Sequence, residues 1–277
     1  MTKRLTVAAV AIPILIVVVF LCPAWALGIV VGAGSACCTW EFLSCTEKDG
    51  GRRLRIYAAV SAFLIPFLGS VMDRGAAVAL VMFLLFAAVM SELMLSFRKE
   101  TTMEFESVAV LLMAGGVMPV LLSSLVQLRL RDAGAACAFL PFVAAFSSDA
   151  GAYFAGLALG KHAMTPRLSP NKTLEGSAGG FLGAIVMMLL YGLVLKAFGF
   201  EVRFSVLAVY GFLGSLASQL GDLSFSAVKR LFGIKDYGTL LPGHGGMMDR
   251  LDSMMWAAPV LELLVLWVPA ISKAVTA

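Results

Sequence analysis

The sequence predicts an all-α, polytopic integral membrane protein with about nine transmembrane helices. Hydrophobic residues make up 60% of the 277 residues and charged residues only 14%, whereas soluble domains hold about 45–50% apolar and about 25% charged residues. The mean hydropathy of +0.94 likewise indicates a chain that is more apolar than a soluble domain. The apolar stretches are continuous rather than alternating, which argues against a β-barrel. Much of the protein surface must therefore face lipid.

Nine apolar stretches have the length of a membrane span. A helix needs about 20 such residues to cross roughly 30 Å of hydrocarbon. The predicted spans are 5–22, 24–45, 56–72, 75–95, 107–128, 133–159, 177–198, 204–222 and 254–272. The first has a cleaved signal sequence as its alternative. Its apolar run is too long for a signal core, however, and no clear cleavage site follows, so we interpret it as a retained span.

The distribution of Lys and Arg predicts the orientation, because these residues concentrate on the cytoplasmic side of membrane proteins. A cytoplasmic N-terminus with nine spans places most of the 21 basic residues in the cytoplasm. The basic residues left on the opposite side are Arg74, Arg129, Arg131, Lys196, Arg203 and Lys273. Losing or gaining a span would spoil this asymmetry, so the span count and the orientation support each other.

The chain divides into two predicted regions. Residues 1–130 are apolar helices with short connections, which suggests a scaffold for lipid contact or dimerisation. Residues 131–277 form the predicted catalytic region, with cytoplasmic polar segments at 160–176 and 223–253. These two segments mix charged residues with glycine, so any chemistry is expected there.

The segment from residue 221 to residue 252 contains four aspartates, four basic residues and a histidine. Asp222 ends one predicted span, and a last helix starting near Met248 would place Asp249 and Asp252 at i and i+3 on one face. Acids at the membrane boundary are costly and usually functional. Clustered carboxylates with few His or Cys neighbours suit a hard ion such as Mg²⁺.

The other residues of this segment suit a polyphosphate. Its basic members are Lys229, Arg230, Lys235 and Arg250, and it also contains Ser226, Asp236, His244, Gly245 and Gly246. Basic side chains bind phosphate oxygens, and glycines allow close backbone approach. The combination predicts phosphoryl or nucleotidyl transfer, without a P-loop motif. Alternatives remain open: the basic residues also satisfy the rule for cytoplasmic loops, and His244 is either a structural donor or a base.

The other polar segment is expected to complete the site. Asp149 lies within an apolar stretch, so it is either a functional acid or a helix cap following two serines. Lys172 and Glu175 precede a span, and Glu175 either caps that helix or binds substrate. The overlapping G-x-x-x-G spacings from Gly176 to Gly183 predict close helix packing.

The run from Ser226 to Asp252 resembles the signature of the phosphatidate cytidylyltransferase (CDP-diacylglycerol synthase) family. The pattern is Ser-x-apolar-Lys-Arg, four residues, Lys-Asp, then Pro-x-His-Gly-Gly-apolar-x-Asp-Arg-apolar-Asp, and every fixed position is present. The segments 149–153 and 169–176 extend the resemblance over the C-terminal half. Asn171 departs from it, because family members often carry Lys there.

The resemblance implies that CTP and phosphatidate give CDP-diacylglycerol and pyrophosphate with Mg²⁺, and K⁺ is a candidate second ion. The implied metal ligands are Asp222 and Asp249, with Asp252 as a further ligand or supporting acid. The catalytic candidates are Asp222, Lys229, Arg230, Lys235, Asp236, His244, Asp249, Arg250 and Asp252. The substrate-binding candidates are Asp149, Lys172, Glu175, Ser226, Gly245 and Gly246. The implied partners are membrane lipid and a second copy of the chain, with no nucleic acid, and the expected location is a bacterial inner membrane with a cytoplasmic active site.

Two other functions compete with this interpretation. A transporter or channel for a small ion would explain Asp149 within an apolar stretch and the glycine-rich helices. However, we find no paired half-repeats, and the polar residues cluster on one side rather than at the midplane. Another lipid-phosphate transferase is the remaining alternative, although the sequence contains no D-G-x-x-A-R-like motif.

Overall fold

The computed structural model describes residues 13–46, 51–97, 103–240 and 245–273. Residues 13–20 are helical. The helices that follow are α1 (Ala24–Thr46), α2 (Arg52–Leu68), α3 (Arg74–Ser96), α4 (Phe105–Leu112), a π-helical turn (Met113–Val117), α5 (Met118–Arg129), α6 (Gly134–Leu159), α7 (Leu174–Ala197), α8 (Phe204–Leu231), α9 (Met248–Leu251) and α10 (Met254–Trp267). Strands β1 (Ala163–Thr165) and β2 (Ser169–Thr173) form one antiparallel pair, and β3 (Phe200–Val202) and β4 (Ile271–Lys273) form another.

The structure supports the helical membrane class. Within the described ranges, six helices are long and apolar enough to cross a membrane: α1, α3, the continuous stretch Phe105–Arg129, α6, α7 and α8. On α3, the side chains of Leu80, Phe83 and Leu84 are exposed, as expected of a lipid-facing helix. Helix α2 has 17 residues and α10 has 14. Residues 5–12 of the predicted first span lie outside the described residues, so nine spans with a cytoplasmic N-terminus stays a prediction.

Three element boundaries differ from the predicted ones. Helix α8 continues past Asp222 to Leu231. The predicted helix through Asp249 and Asp252 is interrupted, because α9 ends at Leu251 and α10 begins only at Met254. The last predicted span is too long, since α10 ends at Trp267 and residues 271–273 pair with β3 instead.

The chain forms two compact units, each made of two stretches of sequence. The first unit comprises Met1–Val126 and Ile234–Leu251, and the second comprises Gln127–Gly233 and Asp252–Ala277. The charged segment 221–252 therefore contributes to both units. The division of labour between a scaffold and a catalytic region stays a prediction.

In the first unit, the π-helical turn packs against α2 and α1. The position of a Cβ on Gly115 would lie 2.8 Å from the Ala58 Cα, so the two backbones approach closely only because Gly115 has no side chain. The wide turn frees carbonyl groups from regular helical pairing. Thr39 Oγ1 donates to the Ala114 carbonyl at 2.7 Å, and Ser61 Oγ donates to the Gly115 carbonyl at 2.8 Å. These hydroxyls stabilise the turn in an apolar setting.

In the second unit, α6 and α7 cross at their small residues. The positions of Cβ atoms on Gly180 and Gly183 would lie 3.0 Å and 2.9 Å from the carbonyl oxygens of Ser148 and Ser147. Glycine therefore lets the helix backbones meet directly, which confirms the close packing predicted from the G-x-x-x-G spacings. This crossing sets the positions of α6 and α7 relative to each other, next to the polar residues described below.

Candidate active site

Asp222 is the centre of a polar cluster in the second unit. Its Oδ2 pairs with the ammonium group of Lys172, which β2 supplies. One helical turn further along α8, the Ser226 hydroxyl donates to Asp222 Oδ1 at 3.3 Å. The side chains of Lys172 and Asp222 are 31% and 29% exposed, so the pair is accessible to ligands.

Asp252 is the second acid of this cluster. Its carboxylate is buried in the turn before α10, where Oδ1 accepts from the Ser253 backbone N–H at 2.7 Å. Burial first, and then the negative charge of Asp222, raise the pKa of Asp252 to about 7, while the Ser253 hydrogen bonds and Lys229 oppose the rise. Two neighbouring carboxylates repel each other, which favours a cation beside them.

A hairpin positions Lys172 on this acid pair. Strands β1 and β2 pair Ala163 with Thr173 and Thr165 with Ser169. The turn between the strands is held to α8, because Arg230 Nε donates to the Leu168 carbonyl at 3.1 Å. Part of the Arg230 guanidinium thus supports the hairpin, a role that the sequence did not indicate.

Glu175 holds the segment before the hairpin. It accepts the backbone N–H groups of Lys161 at 3.1 Å and His162 at 3.2 Å, and it contacts His162 Nδ1 at 2.6 Å. The side-chain cap of α7 comes from Thr173, whose hydroxyl accepts from Gly176 N–H at 3.0 Å. Glu175 therefore organises the entry to β1. The interpretation of Glu175 as the cap of α7 is wrong, because Thr173 supplies that cap.

A cavity of about 420 Å³ opens beside the Lys172–Asp222 pair, within the second unit. Its polar lining includes Asp149, Asn171 and Gln219, while Tyr153 and Leu157 contribute apolar surface and are largely exposed. Asp149 lies inside α6, so the helix-cap alternative for this acid is wrong. The cavity therefore places charged groups beside an apolar surface that is suited to contact with lipid.

A hydrogen-bond network that the sequence did not reveal holds two residues of the cavity lining, Gln219 and Ser177. Gln219 Oε1 accepts from Ser177 Oγ at 2.5 Å, and Gln219 Nε2 donates to Ser215 Oγ at 3.1 Å. The hydroxyls of Ser215 and Ser148 lie 2.7 Å apart. Because Gln219 is one turn before Asp222, this network sets the position of α8 against α6 and α7.

In the first unit, Asp249 organises the glycine-rich loop. Its Oδ2 accepts from the backbone N–H groups of Tyr237 at 2.9 Å and Gly246 at 3.1 Å. Gly245 adopts φ 85°, a left-handed conformation that favours glycine. The sequence singled out both glycines for phosphate binding, and the structure shows that they also shape the loop around Asp249.

Glu41 is a further acid in the first unit that the sequence interpretation missed. It lies in α1, is 8% exposed, and its Oε2 accepts from the Met248 N–H at 2.9 Å. A Cβ on Gly238 or Gly246 would collide with its carboxylate. The signal was available, because a single acid within an apolar run is a functional candidate by default.

The chain matches the model of the cytidylyltransferase family over residues 2–268. The chain is a member of this cytidylyltransferase family. Three similar curated proteins are all named phosphatidate cytidylyltransferase, and they come from Bacillus subtilis, Thermotoga maritima and Staphylococcus saprophyticus.

Identity to these relatives is moderate and confined to part of each protein. It is 36% over 167 residues for the Bacillus protein, 43% over 135 residues for the Thermotoga protein and 40% over 137 residues for the Staphylococcus protein. These regions cover 60%, 47% and 49% of this chain and 61%, 49% and 51% of the relatives. The chain therefore spans about half the length of the curated relatives it matches.

The predicted site residues are divided between the two units. The second unit holds Asp149, Lys172, Glu175, Asp222, Ser226, Lys229, Arg230 and Asp252, and the first holds Lys235, Asp236, Gly245, Gly246, Asp249 and Arg250. His244 lies outside the described residues. The structure brings together Asp222, Ser226, Lys172 and Asp252 in the second unit, and Asp249 with Gly246 in the first.

The donor chemistry of the second unit fits a hard divalent cation. Carboxylate oxygens are the protein ligands that Mg²⁺ prefers, and Asp222 and Asp252 supply them with raised proton affinity at Asp252. No group of three or more His, Cys, Asp or Glu side chains within the described residues is arranged to hold a metal ion. Water and substrate phosphates normally complete the shell of Mg²⁺, so a two-acid site is sufficient in kind.

Proposed function

We propose that this chain joins CTP to phosphatidate, giving CDP-diacylglycerol and pyrophosphate for phospholipid synthesis. The observation that carries the proposal is the cavity of the second unit, where Asp149, Lys172 and Asp222 meet the exposed side chains of Tyr153 and Leu157. Such a cavity suits a reaction between a water-soluble nucleotide and a lipid phosphate. Membership of the cytidylyltransferase family and the names of the relatives support the same chemistry.

The reaction needs charge neutralisation more than a base. A phosphate oxygen of phosphatidate, already anionic at neutral pH, attacks the α-phosphorus of CTP. A new P–O bond forms, the bond from the α-phosphorus to the oxygen bridging the β-phosphate breaks, and pyrophosphate leaves with the electron pair. Because two anions must meet, positioning and electrostatic stabilisation supply the catalysis, as in other phosphoryl transfers.

Residue roles follow from this requirement. Asp222 and Asp252 would hold Mg²⁺, which supplies positive charge against the phosphate oxygens when bound. Asp249 is retained as a ligand on the strength of the family signature alone, and K⁺ is proposed as a second ion on the same basis. The residues proposed to hold the phosphates are Lys229, Arg230, Lys235, Arg250 and the backbone of Gly245 and Gly246, with His244 as an additional donor.

The membrane arrangement is part of the proposal. Nine spans with a cytoplasmic N-terminus would put the polar segments where CTP is available, while phosphatidate keeps its acyl chains in the leaflet. We expect the site to face the cytoplasm of a bacterial inner membrane. A homodimer rests on the family resemblance.

A labelling experiment tests the function. Purified full-length protein in detergent receives phosphatidate, Mg²⁺ and CTP labelled either at the α- or at the γ-phosphate. The proposal predicts that α-label enters the lipid phase and that γ-label stays in water as pyrophosphate. EDTA should stop both the transfer of α-label and the formation of labelled pyrophosphate. A folded protein that transfers no α-label to lipid contradicts the proposal and favours the transporter.

A further inference from the structure

Lys172 is placed to compete with a metal ion. Its ammonium group contacts Asp222 Oδ2, while the other carboxylate oxygen accepts from Ser226. Both carboxylate oxygens of Asp222 thus have a partner, and one of them is paired with a positive charge.

We propose that Lys172 is an exchangeable counter-ion: it neutralises Asp222 until a divalent cation takes its place, and then its ammonium group binds a substrate phosphate in the adjoining cavity. The inference rests on the proposed function, because it assigns a ligand to one residue of that site. It makes cation binding a condition for full phosphate binding, since one event releases the group that the other uses.

The electrostatics favour exchange over sharing. A divalent ion held by Asp222 and Asp252 would cancel the two carboxylate charges, so the net attraction of the Lys172 ammonium group to Asp222 is lost and the nearby ion repels it. Lys172 has a flexible four-carbon stem and three donors, and it is 31% exposed. It is therefore able to leave Asp222 by rotation of its side chain.

The backbone under Lys172 stays fixed during this exchange. Thr173 caps α7 through the Gly176 N–H, and Arg230 holds the hairpin turn through the Leu168 carbonyl. The ammonium group thus swings from an anchored strand, and the movement is confined to one side chain.

The cavity offers the released ammonium group an anion site. Its volume of about 420 Å³ accommodates a phosphate, and Asn171 on the same strand is also part of its lining. Tyr153 and Leu157, 66% and 75% exposed, give the opening an apolar side. The ligand chemistry is a phosphate group, which is available from both phosphatidate and CTP.

The first test measures cation binding without substrate. Electron paramagnetic resonance reports free Mn²⁺ in titrations of the full-length wild type, Lys172→Met, Lys172→Arg and the matched control Lys196→Met, whose lysine lies over the Phe204 ring. Loss of this ion pair, whose side chains are 31% and 29% exposed, predicts Mn²⁺ binding about fivefold tighter in Lys172→Met. Lys172→Arg and Lys196→Met should resemble the wild type. A folding defect would weaken binding and therefore cannot imitate the predicted tightening. Equal or weaker binding by a Lys172→Met variant that keeps the wild-type melting temperature overturns the exchange.

The second test measures phosphate binding at saturating Mn²⁺. Calorimetry with CTP and, separately, with dihexanoyl phosphatidate should show that Lys172→Met loses about tenfold in affinity for one of the two, as expected for a charge-assisted hydrogen bond. The ligand that is affected identifies the source of the phosphate. Undiminished affinity for both ligands refutes the second half of the proposal.

Failure of the inference is distinguishable from failure of the proposed function. The Mn²⁺ titration uses no substrate, so its outcome does not depend on whether the protein catalyses the reaction. A wild-type protein that produces no CDP-lipid contradicts the function, whereas an active wild type whose Lys172→Met variant binds Mn²⁺ no more tightly contradicts only the exchange.

Discussion

Replacing Asp222 by asparagine tests the site at its centre. The substitution preserves the size of the side chain and removes its charge. An amide keeps one oxygen as acceptor, but its NH₂ group cannot accept from Lys172, which currently pairs with Oδ2. The hydrogen bond from Ser226 to Oδ1, at 3.3 Å, is long and is easily retained. The variant therefore loses an ion pair and a proposed metal ligand, and little else.

The magnitudes separate a folding effect from a catalytic one. The Lys172 and Asp222 side chains are about one-third exposed, and ion pairs of this kind contribute about 0.2–1 kcal/mol to the free energy of unfolding. Loss of one preorganised electrostatic contact in an active site costs about 10²-fold or more in rate, which is about 2.7 kcal/mol. Asp222→Asn should therefore lose activity by at least about 10²-fold while its melting temperature changes little.

The assay is transfer of α-labelled cytidylate to lipid, measured beside thermal unfolding in the same detergent. Glu201→Gln is the matched control, because Glu201 is an exposed acid of the same unit that contacts only Ser272 Oγ, at 3.4 Å, among the contacts described for its carboxylate. We expect the control to keep the wild-type rate. A folded Asp222→Asn variant with activity within about threefold of the wild type would refute the assignment.

Two further predictions concern stability. Glu41→Leu leaves the buried Met248 N–H without its acceptor, so it should lower the free energy of unfolding by about 1–3 kcal/mol. Glu41→Gln keeps an acceptor and should lower it less. Equal thermal stability of Glu41→Leu and the wild type would contradict the role of Glu41. Gly183→Ala places a Cβ 2.9 Å from the Ser147 carbonyl and should cost about 1–3 kcal/mol by overpacking. Gly34→Ala, whose nearest neighbour would be a flexible leucine methyl at 3.4 Å, should be neutral or stabilising by about 0.5–1 kcal/mol. Thermal unfolding checks the glycine predictions: Gly183→Ala should melt at a lower temperature than Gly34→Ala. The reverse order of melting temperatures is incompatible with the packing described.

The apolar helices were predictable because lipid imposes a length rule on each span. The ends of the helices were not, since that rule marks where apolar residues stop and not where the backbone changes. Helix α8 continues through its polar turns to Leu231 and ends where Gly233 takes φ 66°. A glycine just past a helix is a local signal for such an end, and it locates the boundary better than hydropathy does.

The site was predictable in composition and only partly in structure. The sequence pattern identified Asp222, Lys172 and Asp252, and the structure places them in one cluster. Gln219 escaped notice because a single amide among serines has no distinctive spacing, and its role depends on three helices meeting. The break in the helix at Asp252 escaped notice because the apolar run that follows suggested a continuous span.

The most direct test of the account is the position of a divalent ion. Anomalous scattering from a crystal grown with Mn²⁺ and CTP would locate it. We predict a manganese peak about 2 Å from a carboxylate oxygen of Asp222, the usual distance for a hard divalent ion, with the Lys172 ammonium group moved away from that carboxylate. A manganese ion bound elsewhere, with Lys172 still paired to Asp222 in the nucleotide complex, would contradict it.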